Sequence, residues 1–391
     1  MKSIRFFLPI LLISVMFSCD SAKKDKIDDD VVVMAYYVAP RDNYRPQDLP
    51  LDKLTHIIFS FTEVIDNKMQ FKREISSEKL KRLVEQKKAH PHLKVMIACG
   101  GWGAGGFSDM VTDPVTRKGF VKSAIDFIVE YNLDGLDMDW EYPGIAAPGT
   151  NARPEDKQNF TALMRELREG MDATGKKLTL TFASAGWKRY YDHIETLEVM
   201  KYADYMNVMT YDLVGGYSKF PAHHTNLGWI KKEDVEGTPW GIWLEESEWR
   251  RGPRSAEKIV SYCLELGVNP QQIVIGGAFY GRAWKGVPPE NNGLYQTSRD
   301  IFISWAQYGD IREKYEGING YVRYWDPVAK APYLYNAQDS IFFSYDDTVS
   351  VKLKTSYARE KGLGGIMFWQ LGDDTDDYSL VDAIHQEKTG Q

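Results

Sequence analysis

The 391 residues are 43% hydrophobic and 26% charged, with a net charge of −7. That balance excludes an intrinsically disordered chain and leaves apolar material for one large domain or two. The acidic sign, with no basic cluster interleaved with aromatics, argues against nucleic acid as a partner.

At the N-terminus, Lys2 and Arg5 precede an apolar run over 6–17 that breaks at Ser18-Cys19. The run is too short to span a bilayer as a mature helix, and 1–18 reads as a signal peptide. A cysteine directly after a small residue at the end of such a run has the form of a bacterial lipobox, although Met16 stands where Leu is preferred. Cleavage before Cys19 and lipidation of its thiol would leave the chain anchored to a membrane, in the cell envelope. A plain secretory signal is the alternative reading. The polar stretch that follows makes 19–30 a flexible tether, and the folded domain is expected over 31–388.

From Val31 onward, short apolar runs alternate with amphipathic stretches, the pattern of repeated βα units. Strands are predicted over 31–38, 56–61, 94–98, 135–139, 178–183, 205–210, 273–278 and 365–369. Eight such strands predict an α/β fold, a (β/α)8 TIM barrel. Helices are predicted over 77–89, 114–131, 154–173, 255–266 and 347–361, bounded by signals such as Asp113-Pro114, Gly175, Gly267 and Gly362. Cys99 and Cys263 read as buried free thiols. Two connections are too long for a bare barrel. The one after Asp212 passes Gly215-Gly216, Trp229, Trp240, Trp243 and Trp249 and reads as a folded loop on a cleft rim. The other, 285–345, alternates like antiparallel strands and is expected to form a small α+β insertion between strands seven and eight, a wall beside the cleft.

The fourth strand organises the rest. In Leu133-Asp134-Gly135-Leu136-Asp137-Met138-Asp139-Trp140-Glu141-Tyr142-Pro143, alternation puts Asp137, Asp139 and Glu141 on one face and Leu136, Met138 and Trp140 on the other. Carboxylates roughly 6–7 Å apart oppose one another's ionisation, so at least one should hold its proton near neutral pH. A general acid in glycoside hydrolysis needs such a proton for the leaving oxygen. Glu141 would sit at the C-terminal end of the strand, where a barrel carries its chemistry. A solvent-facing strand edge and a divalent-metal site compete for the acid run alone.

Other motif residues gather at strand ends. Strand one ends near Tyr36-Tyr37, strand three runs into Gly100-Gly101-Trp102, and strand six ends in Met209-Thr210-Tyr211-Asp212. Strand seven continues through Tyr280-Gly281-Arg282, and strand eight ends at Trp369. Six strand ends bearing phenols, indoles and carboxylates are hard to explain as packing alone.

On these residues the chain resembles glycoside hydrolase family 18, and specifically its chitinases with an α+β insertion domain. The family signature Asp-Gly-x-Asp-x-Asp-x-Glu is met in full by Asp134-Gly135-Leu136-Asp137-Met138-Asp139-Trp140-Glu141. The resemblance implies that Glu141 is the general acid/base, that Asp139 grips the substrate's N-acetyl group, and that Asp137 shares its proton and charge balance. It implies that Tyr211 hydrogen-bonds the acetamide oxygen, Asp212 contacts the sugar at the cleavage point, Trp369 forms its floor, and Tyr36 supports the buried acids. Gly101, Tyr280 and Arg282 fall among the expected substrate contacts. Trp102 is the expected platform on the leaving-group side, with Tyr217 further out. The family is a known substrate-assisted exception to hydrolysis by two carboxylates, in which the substrate's own acetamide attacks and an oxazolinium forms with net retention. Ala98 stands where the family often has a Ser that holds the lower acid, which predicts a slightly altered pH dependence.

The expected activity is hydrolysis of β-1,4 bonds between N-acetylglucosamine units, with chitin or chitooligosaccharides as partners, a monomeric chain, no cofactor and no metal. An endo-β-N-acetylglucosaminidase acting on N-glycans competes, but it would have a shallower site without 285–345. An inactive chitin-binding lectin also competes; such proteins typically lack the terminal acid, here Glu141.

Overall fold

Successive side chains point to opposite faces along each barrel strand, and this sorts the interior of the computed structural model into an inner and an outer core. Residues 31–246 and 254–390 are described. The signal peptide, Cys19 and the tether, together with Trp249 of the rim loop, lie outside the described residues. The strands are β1 (Val32–Tyr37), β2 (His56–Ile65), β3 (Lys68–Gln70), β4 (Lys94–Gly100), β5 (Gly135–Asp139), β6 (Thr179–Ala185) and β7 (Tyr205–Met209). After them come β8 (Ile273–Ala278), β9 (Tyr280–Lys285), β10 (Asp300–Gln307), β11 (Tyr321–Asp326), β12 (Ala331–Asn336), β13 (Ile341–Ser344) and β14 (Gly365–Trp369).

Eight of these pair in the order β1-β14-β8-β7-β6-β5-β4-β2, all parallel, and β1 pairs with β2 to close the ring. The result is a (β/α)8 barrel. Its eight strands are the eight predicted, displaced by a few residues at most. β3 extends the sheet as an antiparallel partner of β2. Along β1, Val32, Met34 and Tyr36 point into the barrel and pack with Ile58, Met96, Ala98, Val274 and Met367. Val33, Ala35 and Tyr37 join the larger outer core between strands and helices. Leu136, Met138 and Trp140 belong to that outer core, so their acidic neighbours turn inward.

Local caps set the surrounding helices. Asp113 caps Pro114–Glu130 through the Val115 N–H, and Ser255 caps Ala256–Glu265 through the Lys258 N–H. Asp347 and Ser350 form a capping box on Thr348–Glu360. The first predicted helix begins at Ile75, two residues early, and gives way after Glu85 to a 3-10 turn. Cys99 and Cys263 are free and buried.

Between β8 and β14 the chain forms a second sheet, antiparallel, in the order β10-β9-β13-β12-β11. It begins at Tyr280, five residues before the expected boundary of 285. β8 stops at Ala278, opposite Trp369, and the Phe279 N–H bonds the Trp369 carbonyl before the chain crosses over. Tyr280 and Arg282 therefore ride on β9 rather than on the seventh barrel strand. The rim connection after Asp212 contains the helix Pro239–Glu246, where Trp240 is buried and stacks on Tyr295 at 5.0 Å.

One buried ion pair ties these parts together. Asp346, just after β13, accepts hydrogen bonds from the Ala278 N–H at 2.9 Å, from Thr225 Oγ1 at 2.7 Å and from Lys354 Nζ, and both charged side chains are fully buried. Lys354→Met is expected to lower stability by roughly 3–5 kcal/mol, because it leaves Asp346 as an uncompensated buried charge. A chemical denaturation midpoint at the wild-type value would contradict this.

Candidate active site

Burial, rather than a neighbouring cation, governs the acids of β5. Asp137 is fully buried and accepts hydrogen bonds from the Tyr36 hydroxyl at 3.0 Å, Asn207 Nδ2 at 3.1 Å and the Thr181 hydroxyl. Burial raises it to about 6 against the lowering pull of those three donors. Ala98 and Thr181 are the register neighbours of Asp137 on either side, and the hydroxyl comes from Thr181. Asp139 lies well above the ordinary carboxylate range because of burial first, then the charges of Glu141 and Asp137. Its Oδ1 is buried with no hydrogen-bond partner among the described residues. Glu141 is raised to about 7 by burial, opposed by a hydrogen bond with Tyr142 and reinforced by the charge of Asp212. The group is thus built to keep protons near neutral pH.

Asp212 has the opposite character. Its backbone is left-handed, with φ of 54°, which turns the carboxylate toward β9. Oδ1 accepts from the Tyr280 hydroxyl at 2.8 Å and from Arg282 Nε at 2.8 Å and a terminal nitrogen at 2.6 Å. Oδ2 has no hydrogen-bond partner among the described residues, and the side chain is 44% exposed. Crowding by protein atoms works to raise Asp212, yet its partners hold it at about 2. His224 contributes little as a hydrogen-bond donor, since its Nδ1 is 3.7 Å away and burial keeps the ring neutral. The Arg282 guanidinium is the stronger hold.

The remaining residues frame these acids. Tyr211 is buried inside the barrel mouth; among the described residues its hydroxyl has one hydrogen-bond partner, the Met367 thioether at 3.8 Å, a weak acceptor. Gly276 makes room for it, since a Cβ there would lie 2.8 Å from the Tyr211 ring. Trp369 ends β14, which lies directly across the ring of strands from β5, and it stacks on Phe61 at 5.4 Å and against Tyr36 at 5.7 Å. Gly100, at φ of 125°, sits where a Cβ would lie 1.9 Å from the Asp139 carbonyl oxygen, and the Gly101 N–H bonds that same oxygen at 2.8 Å. The chain then swings out to Trp102, which is 68% exposed, while Tyr217 on the rim is 95% exposed.

The structure thus gathers Tyr36, Asp137, Asp139, Glu141, Tyr211 and Trp369 at the mouth, with Asp212, Tyr280 and Arg282 as a second cluster beside them. Trp102 and Tyr217 stand exposed on surface loops. Thr181, Asn207 and His224 escaped sequence reasoning. Asn207 and Thr181 sit on the inward face of their strands, a signal that strand alternation could have supplied. Among the described residues, no group of three or more His, Cys, Asp or Glu is arranged to hold a metal ion.

The family Glycosyl hydrolases family 18 matches residues 33–374. Chitinase A1 of Niallia circulans is 33% identical over 95% of this chain and 61% of its own length, and Chitinase B of Serratia marcescens is 28% identical over 85% and 75%. This chain therefore spans about three fifths to three quarters of those relatives. Among solved structures, a family 18 N-acetylglucosaminidase from Paenibacillus barengoltzii superposes with a TM-score of 0.80, at 37% identity, covering 91% of this chain and 99% of its own. With the family pattern running from the first barrel strand past the last, this chain belongs to glycosyl hydrolase family 18.

Proposed function

We propose that the protein is a chitinase that hydrolyses β-1,4 bonds between N-acetylglucosamine units with retention. The observation that carries this reading is the buried Oδ1 of Asp139, without a partner among the described residues, beside Glu141, which burial raises to about 7. An orphaned carboxylate oxygen in a closed site calls for an N–H from the ligand, and an acetamide supplies one. Glu141 protonates the leaving oxygen, and the acetamide oxygen of the same sugar attacks the anomeric carbon in place of a protein nucleophile. Asp139 takes the acetamide N–H and offsets the positive charge of the oxazolinium, while Tyr211 donates to the acetamide oxygen. Asp137, fixed by Tyr36, Asn207 and Thr181, shares the proton balance of Asp139. Glu141 then acts as base toward the water that opens the ring. Trp369 floors the sugar, Asp212 Oδ2 binds it, and Tyr280 and Arg282 hold Asp212. Trp102 and, further out, Tyr217 carry the leaving-group side.

The sheet of β9 to β13 is read as the insertion domain, a wall that deepens the cleft for a polymer and weighs against N-glycan release. The presence of Glu141 weighs against a lectin. Likeness to the Paenibacillus N-acetylglucosaminidase supports a second reading, removal of single units from a chain end, and product lengths from chitin oligosaccharides separate the two. Residues 1–18 are read as a lipoprotein signal and Cys19 as the lipidated residue, with 19–30 tethering a monomeric barrel to the membrane.

Glu141→Gln is expected to lower kcat on chitin oligosaccharides by at least about 10²–10⁴-fold while oligosaccharide binding persists, since the amide fills the site without a proton to give; turnover at the wild-type rate would remove the assignment. In the wild type, kcat should fall as pH rises through about 7, where Glu141 loses its proton. Asp212→Asn removes a charge that raises Glu141, so this alkaline limb should move to lower pH; a pH–rate profile with the limb unmoved would uncouple the two. Cys19→Ser should shift the protein from the membrane fraction to the soluble one, and continued membrane association would point to another anchor.

A further inference from the structure

Trp305 is an exposed indole that the fold holds still. It stands on β10, at an edge of the second sheet, with 39% of its surface exposed. Its ring stacks on Tyr280, centroids 3.6 Å apart and planes 8° from parallel. Its Nε1–H donates to Asp373 Oδ2 at 2.9 Å. Asp373 is buried and is itself held through Oδ1 by the side-chain amides of Gln307 at 2.9 Å and Gln370 at 2.8 Å. One face of the indole is therefore covered and its edge is pinned, so the exposed surface is chiefly the opposite face, with the amides of Gln307 and Gln370 on the same aspartate that pins it. A fixed flat apolar face beside polar groups suits the C–H face of a pyranose, whose hydroxyls and acetamides need partners at the rim.

Its place in the barrel gives it a direction. Tyr280 follows directly on β8 and Asp373 follows β14, whereas Trp102 follows β4. In the closed ring of eight strands, β8 lies opposite β4. A glycan laid across the mouth with its leaving-group side on Trp102 reaches Trp305 with its other end. We propose that Trp305 is a specificity-determining platform for a sugar on the non-reducing side of the cleavage point, favouring substrates with several N-acetylglucosamine units there; this rests on the chitin-oligosaccharide reading above.

The test uses 4-methylumbelliferyl glycosides of two, three and four N-acetylglucosamines, with release of the fluorophore as the readout. The leaving group is then constant and only the non-reducing side grows. In the wild type, kcat/KM should rise with length, and Trp305→Ala should cut that gain by about tenfold, the scale of truncating a well-buried aromatic anchor. Trp305→Phe, which keeps a ring on Tyr280, should restore most of it. The gain is a ratio within one preparation, so neither a smaller folded fraction nor a loosened Tyr280–Asp212 contact changes it. A wild-type kcat/KM that does not grow with length, or an unchanged gain in Trp305→Ala, overturns the platform while leaving hydrolysis of these bonds standing. No fluorophore release from any glycoside, with chitohexaose also left uncut, removes both readings.

Discussion

Three carboxylates on the inward face of one buried strand cannot all be ionised in a medium that solvates charge poorly, and the site is arranged around that constraint. Asp137 is given three donors, which lets it carry charge more readily than its neighbours. Asp139 is given none for Oδ1, and burial raises Glu141 to about 7. Burial raises all three acids, and the two hydroxyls and one amide around Asp137 pull that residue back to about 6, with no cation beside it among the described residues.

The second cluster obeys the reverse logic. Asp212 is ionised because Arg282 compensates it, and its hydrogen bonds and ion pairs among the described residues fall on one oxygen. A fixed negative charge near Glu141 helps to keep that residue protonated. The barrel supplies the acids and the second sheet supplies the arginine, so the two sheets must stay in register. The buried Asp346–Lys354 pair performs that joining, since it bonds the end of β8 from a residue that immediately follows β13.

The barrel and its acid strand were legible because both follow from side-chain alternation. Through β5 and the two residues after it, the period of two separates Leu136, Met138 and Trp140 from Asp137, Asp139 and Glu141 with no exception, and burial then fixes which face turns inward. What escaped depended on register or on distant pairing. Thr181 reads as an ordinary strand residue until its pairing sets it opposite Asp137. Tyr280 and Arg282 read as the continuation of a barrel strand because only Phe279 separates β8 from β9, with no turn residue to mark the crossing. Trp305 lies in a stretch without a motif, and the aspartate that pins it is 68 residues away.

The cysteines have a practical side. Cys99 and Cys263 are fully buried, and burial pushes both thiols up to about 12, so neither offers a thiolate or a path for a reagent at neutral pH. Among the described residues the surface is therefore silent to maleimides. A cysteine introduced on the rim, at Tyr217 for example, would be a single addressable handle there, able to carry a fluorophore that reports when a sugar chain enters the groove.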